Sequence, residues 1–419
     1  MANLNNTKNT NIDSKFDMMR KPEKQRTLLK VLAWILSFSA FIFQKSKIQK
    51  INMKGLKTPY LLLCNHNAFL DFKVATKAIF PHGANYVVAI DGFIKRESLL
   101  RKVGCICKRK FTNDSILIRH IIYSLKELKQ IVVIYPEARY SLVGTNAIVP
   151  TSLGKLVKLL KVPVVTLITS GHHIDSPVWN LRRRRNPIEA KMKQIINESE
   201  VMSLDVNTIN NRIQEAFIYD DYKWQKGNRI KVKYKKRAEG LHKVLYKCPA
   251  CKTEFMMDSM DNQIFCRHCQ KTYLMNEYGE LQAKDGHTEF SHIPDWYEWE
   301  RLEVRKEIID GKYRISDEVD VDSLPNSEGY INLGSGHLTH DENGFVLKFK
   351  EKNEDKILIK DVSSMYSCHI EFEYNNKGDC IDLSTLNDTY YIYFKNLKNV
   401  VTKIHFATEE LYKLKYSKY

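Results

Sequence analysis

The sequence lacks any run of about 20 apolar residues, the length a membrane-spanning helix needs. Its longest candidate, TLLKVLAWILSFSAFIFQ from Thr27 to Gln44, is shorter and is interrupted by Lys30. Basic residues stand on both sides of it, Arg20, Lys21, Lys24 and Arg26 before and Lys45, Lys47 and Lys50 after, so no charge asymmetry orients a span. A secretory signal is not recognisable either, because the first apolar stretch begins behind a long polar leader and lacks a small-residue cleavage site. No internal repeat is present, which argues against a solenoid. The nine cysteines are an odd number, and four of them sit in two Cys-x-x-Cys pairs. Reduced thiols in a cytoplasmic setting fit this pattern better than a disulfide framework.

What the first part of the chain is short of is acid. Residues 1–247 hold 45 Lys and Arg against 18 Asp and Glu, a net of +27, whereas residues 248–419 hold 21 against 31, a net of −10. The basic part is drawn to anionic surfaces, lipid headgroups or polyphosphate ligands. The total of 419 residues, 43% hydrophobic, supports two to four domains with a large core. Residues 1–26, polar and rich in Asn and Lys, are expected to be a disordered leader. The 27–44 stretch is expected to lie in the membrane interface as an amphipathic helix, which makes the protein peripheral or monotopic on the cytoplasmic face of a membrane.

Apolar runs alternate with helical patterns over the next 130 residues. KINMKG, YLLLC, NYVVAID (85–91), IVVIY (131–135) and VPVVTLITS (162–170) suggest strands; DSILIRHIIYSLKELK (114–129) and TSLGKLVKLLK (151–161) suggest helices. Continuous β-branched strands between helices indicate an α/β layer around a central mixed sheet, buried on both sides. The spacer 182–240, which includes RRRR (182–185), is expected to be helical and basic. Residues 291–325 are expected to be a helical connector. From 326 to 419, short strands separated by turns and closed by a helix near 400–414 suggest a small β domain.

In such sheets chemistry gathers on loops just past strand ends. CNHNAFLD (64–71) stands there, with a histidine five positions before an aspartate. Histidine accepts a proton near neutrality, with an unperturbed pKa of about 6.5, and a carboxylate on its far nitrogen fixes its tautomer and stabilises the imidazolium. No serine lies within the stretch, which favours a histidine that activates an incoming hydroxyl directly. Cys64 reads as packing at the end of an apolar strand, and His172 and His173 as ordinary loop residues.

Three further blocks follow in order: GCICKR (104–109), YPEARYS (135–141), and the strand around Pro163 to Gly171. With NHNAFLD these resemble the glycerolipid acyltransferase superfamily, typified by the 1-acylglycerol-3-phosphate acyltransferases, over about residues 27–230. The resemblance implies an acyltransferase-type α/β domain over 27–240. It makes His66 the general base and Asp71 its orienting partner, and it assigns Asn65, Arg109, Glu137 and Arg139 to the acceptor side. It implies an acyl-CoA or acyl-ACP donor, acyl carrier protein as a possible partner, and a lysophospholipid acceptor, 1-acylglycerol-3-phosphate before others, at an anionic membrane surface. One departure matters. Where the family has Gly-Thr-Arg-Ser, this chain has Ala138-Arg139-Tyr140-Ser141, so the arginine stands one position early and the acceptor headgroup is open. The alternative is an inactive acyltransferase-fold protein serving as a membrane lipid-binding scaffold.

The second cluster is CPACKTEFMMDSMDNQIFCRHC. Cys248 and Cys251 are separated by fourteen residues from Cys266 and Cys269. Two such knuckles close a tetrahedral structural zinc site, and the stretch resembles a zinc ribbon, assigned to 241–290. Residues 248–290 carry four basic and seven acidic side chains, the wrong sign for phosphate contacts, so no nucleic-acid partner is expected. The C-terminal strands with one closing helix resemble the pleckstrin-homology-like superfold, including the GRAM type.

Overall fold

The structure is a computed structural model that describes residues 14–42, 44–68 and 70–416. Residues 1–13 of the expected leader lie outside that range.

The first sheet is assembled in the order α1 (Thr27–Ser39), β1 (Ser46–Ile51), β2 (Leu61–Cys64), α2 (Asp71–Ala78), β3 (Ala84–Ala89), α3 (Glu97–Lys102), β4 (Cys105–Lys108), α4 (Ser115–Lys126), β5 (Ile131–Ile134), α5 (Ser152–Leu160), β6 (Val164–Ser170), the short α6 (His172–Asp175) and β7 (Ile188–Ile196). Helices α7 (Glu198–Ser203), α8 (Val206–Ala216) and α9 (Asp221–Gly227) follow. The strands lie in the order β1-β7-β6-β2-β5-β3-β4. β6, β2, β5, β3 and β4 run parallel. β7 pairs antiparallel with β6 and carries β1 parallel to itself.

The centre of this mixed sheet explains its sequence. All four residues of β2 are buried, because the strand has a covered face on each side. Leu62 and Cys64 pack with Val74 and Ala78 of α2. Leu61 and Leu63 pack on the other face with Leu125 of α4, Val157 of α5 and Ile209 of α8. Helix α4 starts where Asp114 accepts the backbone N–H groups of Ile116 (2.9 Å) and Leu117 (3.1 Å), satisfying two donors that the first turn leaves unpaired. Among the described residues no helix is long and apolar enough to cross a membrane.

Two elements depart from the sequence expectation. The 182–240 spacer is helical only after Glu198; before it, β7 is a nine-residue strand. Its residues Ile188, Ala190 and Met192 are buried and Lys191 and Lys193 exposed, a period of two that the surrounding basic residues disguised. The expected connector also ends early. Helix α10 comes first, after the second sheet described below, and by Ile315 the chain has entered a strand of the last sheet.

The second sheet, β8 (Met257–Met260), β9 (Gln263–Cys266), β10 (Thr272–Met275) and β11 (Leu281–Ala283), is antiparallel throughout. Helix α10 (Ile293–Ile309) leads to β12 (Ile315–Ser323), β13 (Ile331–Asp341), β14 (Gly344–Glu351), β15 (Glu354–Asp361), β16 (His369–Glu371), β17 (Cys380–Ser384) and β18 (Thr389–Phe394), closed by α11 (Val401–Tyr416). Their order is β15-β14-β13-β12-β18-β17-β16, antiparallel at every pairing.

The last part of the chain is welded to the first. Residues 14–18, expected to be disordered, run between them. Phe16 is 7% exposed, its N–H donates to the Pro325 carbonyl at 3.1 Å, and Asn326 Nδ2 donates to the Ser14 carbonyl at 2.7 Å. Helix α11 is buried without a break from Val401 to Leu411, so its charged side chains need partners inside the protein. Glu409, fully buried, accepts from Arg139 at 3.2 Å, from Arg301 at 2.5 Å and from Ser367 at 2.7 Å.

Removing one member of a buried charge cluster strands the others, at about 3–5 kcal/mol. Glu409→Ala is therefore expected to lose about that much stability in a denaturant titration of the full chain, with Arg301→Ala also strongly destabilising. A loss below about 1 kcal/mol would contradict the clamp.

Candidate active site

The C-terminal ends of β2, β5 and β6 lie side by side, and each delivers part of one cluster. The loop after β2 carries Asn65 to Ala68, and Asp71 opens α2. The Asp71 carboxylate, 3% exposed, is a four-way acceptor. Oδ2 takes the Asn67 N–H at 2.6 Å, the Ala68 N–H at 2.9 Å and His66 Nδ1 at 2.9 Å. Oδ1 takes His172 Nδ1 from the turn after β6 in a short contact. Burial pushes this carboxyl up, but His172 and His66 outweigh burial and hold it well below the usual carboxylate range. Asp71 is thus an anion with its charge directed at two imidazoles.

His66 keeps 24% of its side chain exposed. With Nδ1 on Asp71, Nε2 is the nitrogen left for proton transfer. The ring lies between Tyr135 and Tyr140, with centroids 4.4 and 4.2 Å away. His172 is fully buried, and its Nε2 has no hydrogen-bond partner among the described residues. Reading it as a loop residue missed this role. The available signal was its place just past β6; that β6 lies beside β2 is a fact of topology, not of sequence.

Asn65 and Glu137 hold the loop in shape. Asn65 exchanges two bonds with the backbone of Thr169 in β6, accepting its N–H at 2.8 Å and donating to its carbonyl at 2.9 Å. Asn67 accepts from Tyr219 Oη at 2.8 Å. Glu137, two residues beyond Tyr135, accepts the His66 N–H at 2.9 Å on one oxygen and the Ala147 N–H at 2.7 Å on the other. Burial pushes its carboxyl up to about 7, against those two backbone donors.

The two arginines assigned to the acceptor are engaged by the C-terminal domain. Arg109 is 1% exposed. Its Nη1 donates to the Leu324 carbonyl at 2.8 Å and Thr389 Oγ1 at 3.0 Å, and its Nη2 to the Pro325 and Asn387 carbonyls at 2.8 and 2.9 Å. Arg139 is 5% exposed and bonds to Glu409 of α11. The terminal nitrogens of both are taken up by acceptors of the protein itself. The one-residue displacement of the arginine leaves Tyr140, not Arg139, on the His66 ring.

The four cysteines come together as expected. Their sulfurs lie within 4.8 Å of one another, with Cys248–Cys269 at 3.7 Å and Cys251–Cys266 at 3.8 Å. A tetrahedron with Zn–S bonds of about 2.3 Å requires S···S separations of about 3.8 Å. The two knuckles are built alike. Lys252 N–H returns to the Cys248 carbonyl and Gln270 N–H to the Cys266 carbonyl, both at 2.9 Å, and Lys252 and Gln270 take left-handed φ values of 64° and 65°. This donor set fits a metal ion such as zinc, held by four thiolates with no position left for a substrate.

Two outcomes are expected from these geometries. Glu137 holds its proton more tightly when folded than at its ordinary value of 4.5. Its contribution therefore favours folding fully only below that value and is withdrawn as pH rises through about 7, by about 3 kcal/mol in total. Glu137→Gln should flatten the fall in melting temperature between about pH 5 and 7; an unchanged slope would show that another group causes it. For the cysteines, elemental analysis of purified full chain should find one zinc per chain. Chelation or Cys266→Ser should lower the melting temperature by about 10 °C or more, and metal-free protein of unchanged melting temperature would rule out a metal staple.

Comparison with known proteins adds to this geometry. Residues 42–170 match the model of the family described as Acyltransferase. That span holds Asn65, His66, Asp71, Arg109, Glu137 and Arg139, and it stops two residues short of His172. No curated protein matches the chain. Among solved structures the chain is similar to the 1-acyl-sn-glycerophosphate (LPA) acyltransferase PlsC from Thermotoga maritima, at 13% identity over 45% of this chain and 77% of that one, with a TM-score of 0.37. By the family match, the α/β part of the chain over residues 42–170 carries an acyltransferase-like domain.

Proposed function

We propose that the protein transfers a fatty acyl group from a thioester, acyl-CoA or acyl-ACP, to the hydroxyl of a lysophospholipid at a membrane surface. The observation that carries this reading is the His66–Asp71 pair, with Nδ1 fixed on a buried anion and the ring partly open. His66 Nε2 takes the acceptor's hydroxyl proton as that oxygen attacks the thioester carbonyl. Asp71 stabilises the imidazolium, and the proton returns to the departing thiolate, leaving ester and free thiol. His172 holds Asp71 from behind and keeps its carboxylate ionised.

Membrane binding fits α1. Leu28 is 81% exposed, Ile35 59% and Leu36 53%, while the rings of Trp34 and Phe38 meet Phe80 just past the end of α2. An exposed apolar stripe of this kind marks an interaction surface. Beside it a groove of about 550 Å³ is lined by Arg26, Lys95, Arg96 and Lys102 with Leu28 and Leu99, which suits the headgroup region of an anionic bilayer. The antiparallel C-terminal sheet closed by α11 supports the pleckstrin-homology-like reading of that domain. The cysteine site serves the fold, not the chemistry.

A scaffold without catalysis is the second reading, and the engaged state of Arg109 and Arg139 is the observation that favours it. The two are separated by thiol release and lipid product in mixed micelles. His66→Ala is expected to lower kcat/KM by about 10²–10⁴-fold while circular dichroism shows the chain still folded at the assay temperature. Equal activity of the variant and the parent would refute the catalytic role of His66; no transfer by the parent from either donor would favour the scaffold.

A further inference from the structure

We infer that the acceptor's head carries no phosphate monoester; this rests on the acyl-transfer reading above. The ground is that the C-terminal domain engages the cations that would meet an acceptor phosphate. Arg109, the cation expected at an acceptor phosphate, is enclosed by four oxygen acceptors on the segments 324–325 and 387–389. Arg139 is bonded to Glu409, which it shares with Arg301. A phosphate would have to displace a full set of protein acceptors at Arg109, or a buried carboxylate at Arg139, before either guanidinium could grip it.

The next cation in the chain is equally committed. Lys110 Nζ lies 3.2 Å from Asp91, 3.2 Å from Asp382 and 3.1 Å from His369 Nδ1. His369 in turn faces Asp382 at 2.8 Å and Glu371 at 3.5 Å. Lys110, like the two arginines, is therefore spent on groups of the protein, and a phosphate monoester finds no free cation among the three. A neutral glycerol head or a zwitterionic head with an outer cation needs none.

The test uses the full chain in micelles of uncharged detergent, with acyl-CoA and acyl-ACP as separate donors. The acceptors, at equal mole fraction, are 1-acylglycerol-3-phosphate, 1-acylglycerophosphocholine and monoacylglycerol, with lipid product and released thiol both followed. At least one of the last two is expected to be acylated about tenfold or more faster than the phosphate monoester. If 1-acylglycerol-3-phosphate is acylated as fast or faster, the inference is overturned while the acyl-transfer reading stands. If no acceptor is acylated from either donor, the reading fails and the inference falls with it.

Discussion

One buried carboxylate organises the candidate site and much of the fold beneath it. Asp71 can remain ionised out of water only because four donors meet it, and a buried charge without such partners would neutralise or unfold its surroundings. Meeting that demand dictates the geometry. The loop 65–68 must curl so that two of its N–H groups point inward. Helix α2 must begin at Asp71, where its dipole also favours an anion. β6 must lie beside β2 so that His172 reaches the far oxygen. Asn65 ties that same pair of strands through Thr169. The orientation of His66 follows from these constraints and needs no further device.

The other side of the site is shaped by the C-terminal domain, which treats the basic residues of the acyltransferase-like domain as anchors. Arg109, Lys110 and Arg139 are each bonded to groups more than 250 residues downstream. Guanidinium suits this use, since its planar fork stays charged under burial and meets several oxygens at fixed angles. The surplus of positive charge in the first 247 residues is thus partly internal. Of what remains outward, one part lines the groove beside α1, where apolar side chains are also exposed, and another lies exposed along 182–185 and 223–236.

How much of this was legible in the sequence depends on how local each signal was. His66 and Asp71 stand five residues apart, so their partnership could be read from spacing and from the strand before them. The four cysteines were legible for the same reason, as two short knuckles. His172 lies 101 residues from Asp71, and only strand order brings it there. The fate of Arg109 was not legible because three of its four acceptors are backbone carbonyls, groups that every residue carries and that leave no mark in composition. Strands β7 and β12 were missed for a different reason. Outward-facing Lys in the first and the acids Asp317 to Asp322 in the second made these strands look like polar connectors, although burial alternates along β7 and over the first half of β12.

The largest apolar core does not respect the divisions that motifs suggest. It joins Phe111, Leu142 and Trp179 of the α/β part to Cys248 and Tyr273 of the cysteine sheet, Trp296 of α10, Val319 and Leu347 of the last sheet, and Ile404 of α11. A module that can be exchanged between proteins needs a boundary crossed by few contacts, and this chain has none near residue 240. The cysteine sheet and the C-terminal domain are therefore not accessories strung onto an independent enzyme. A continuous core of this kind is expected to melt as one cooperative unit, and it joins the cysteine knuckles to Tyr140, whose ring lies on that of His66.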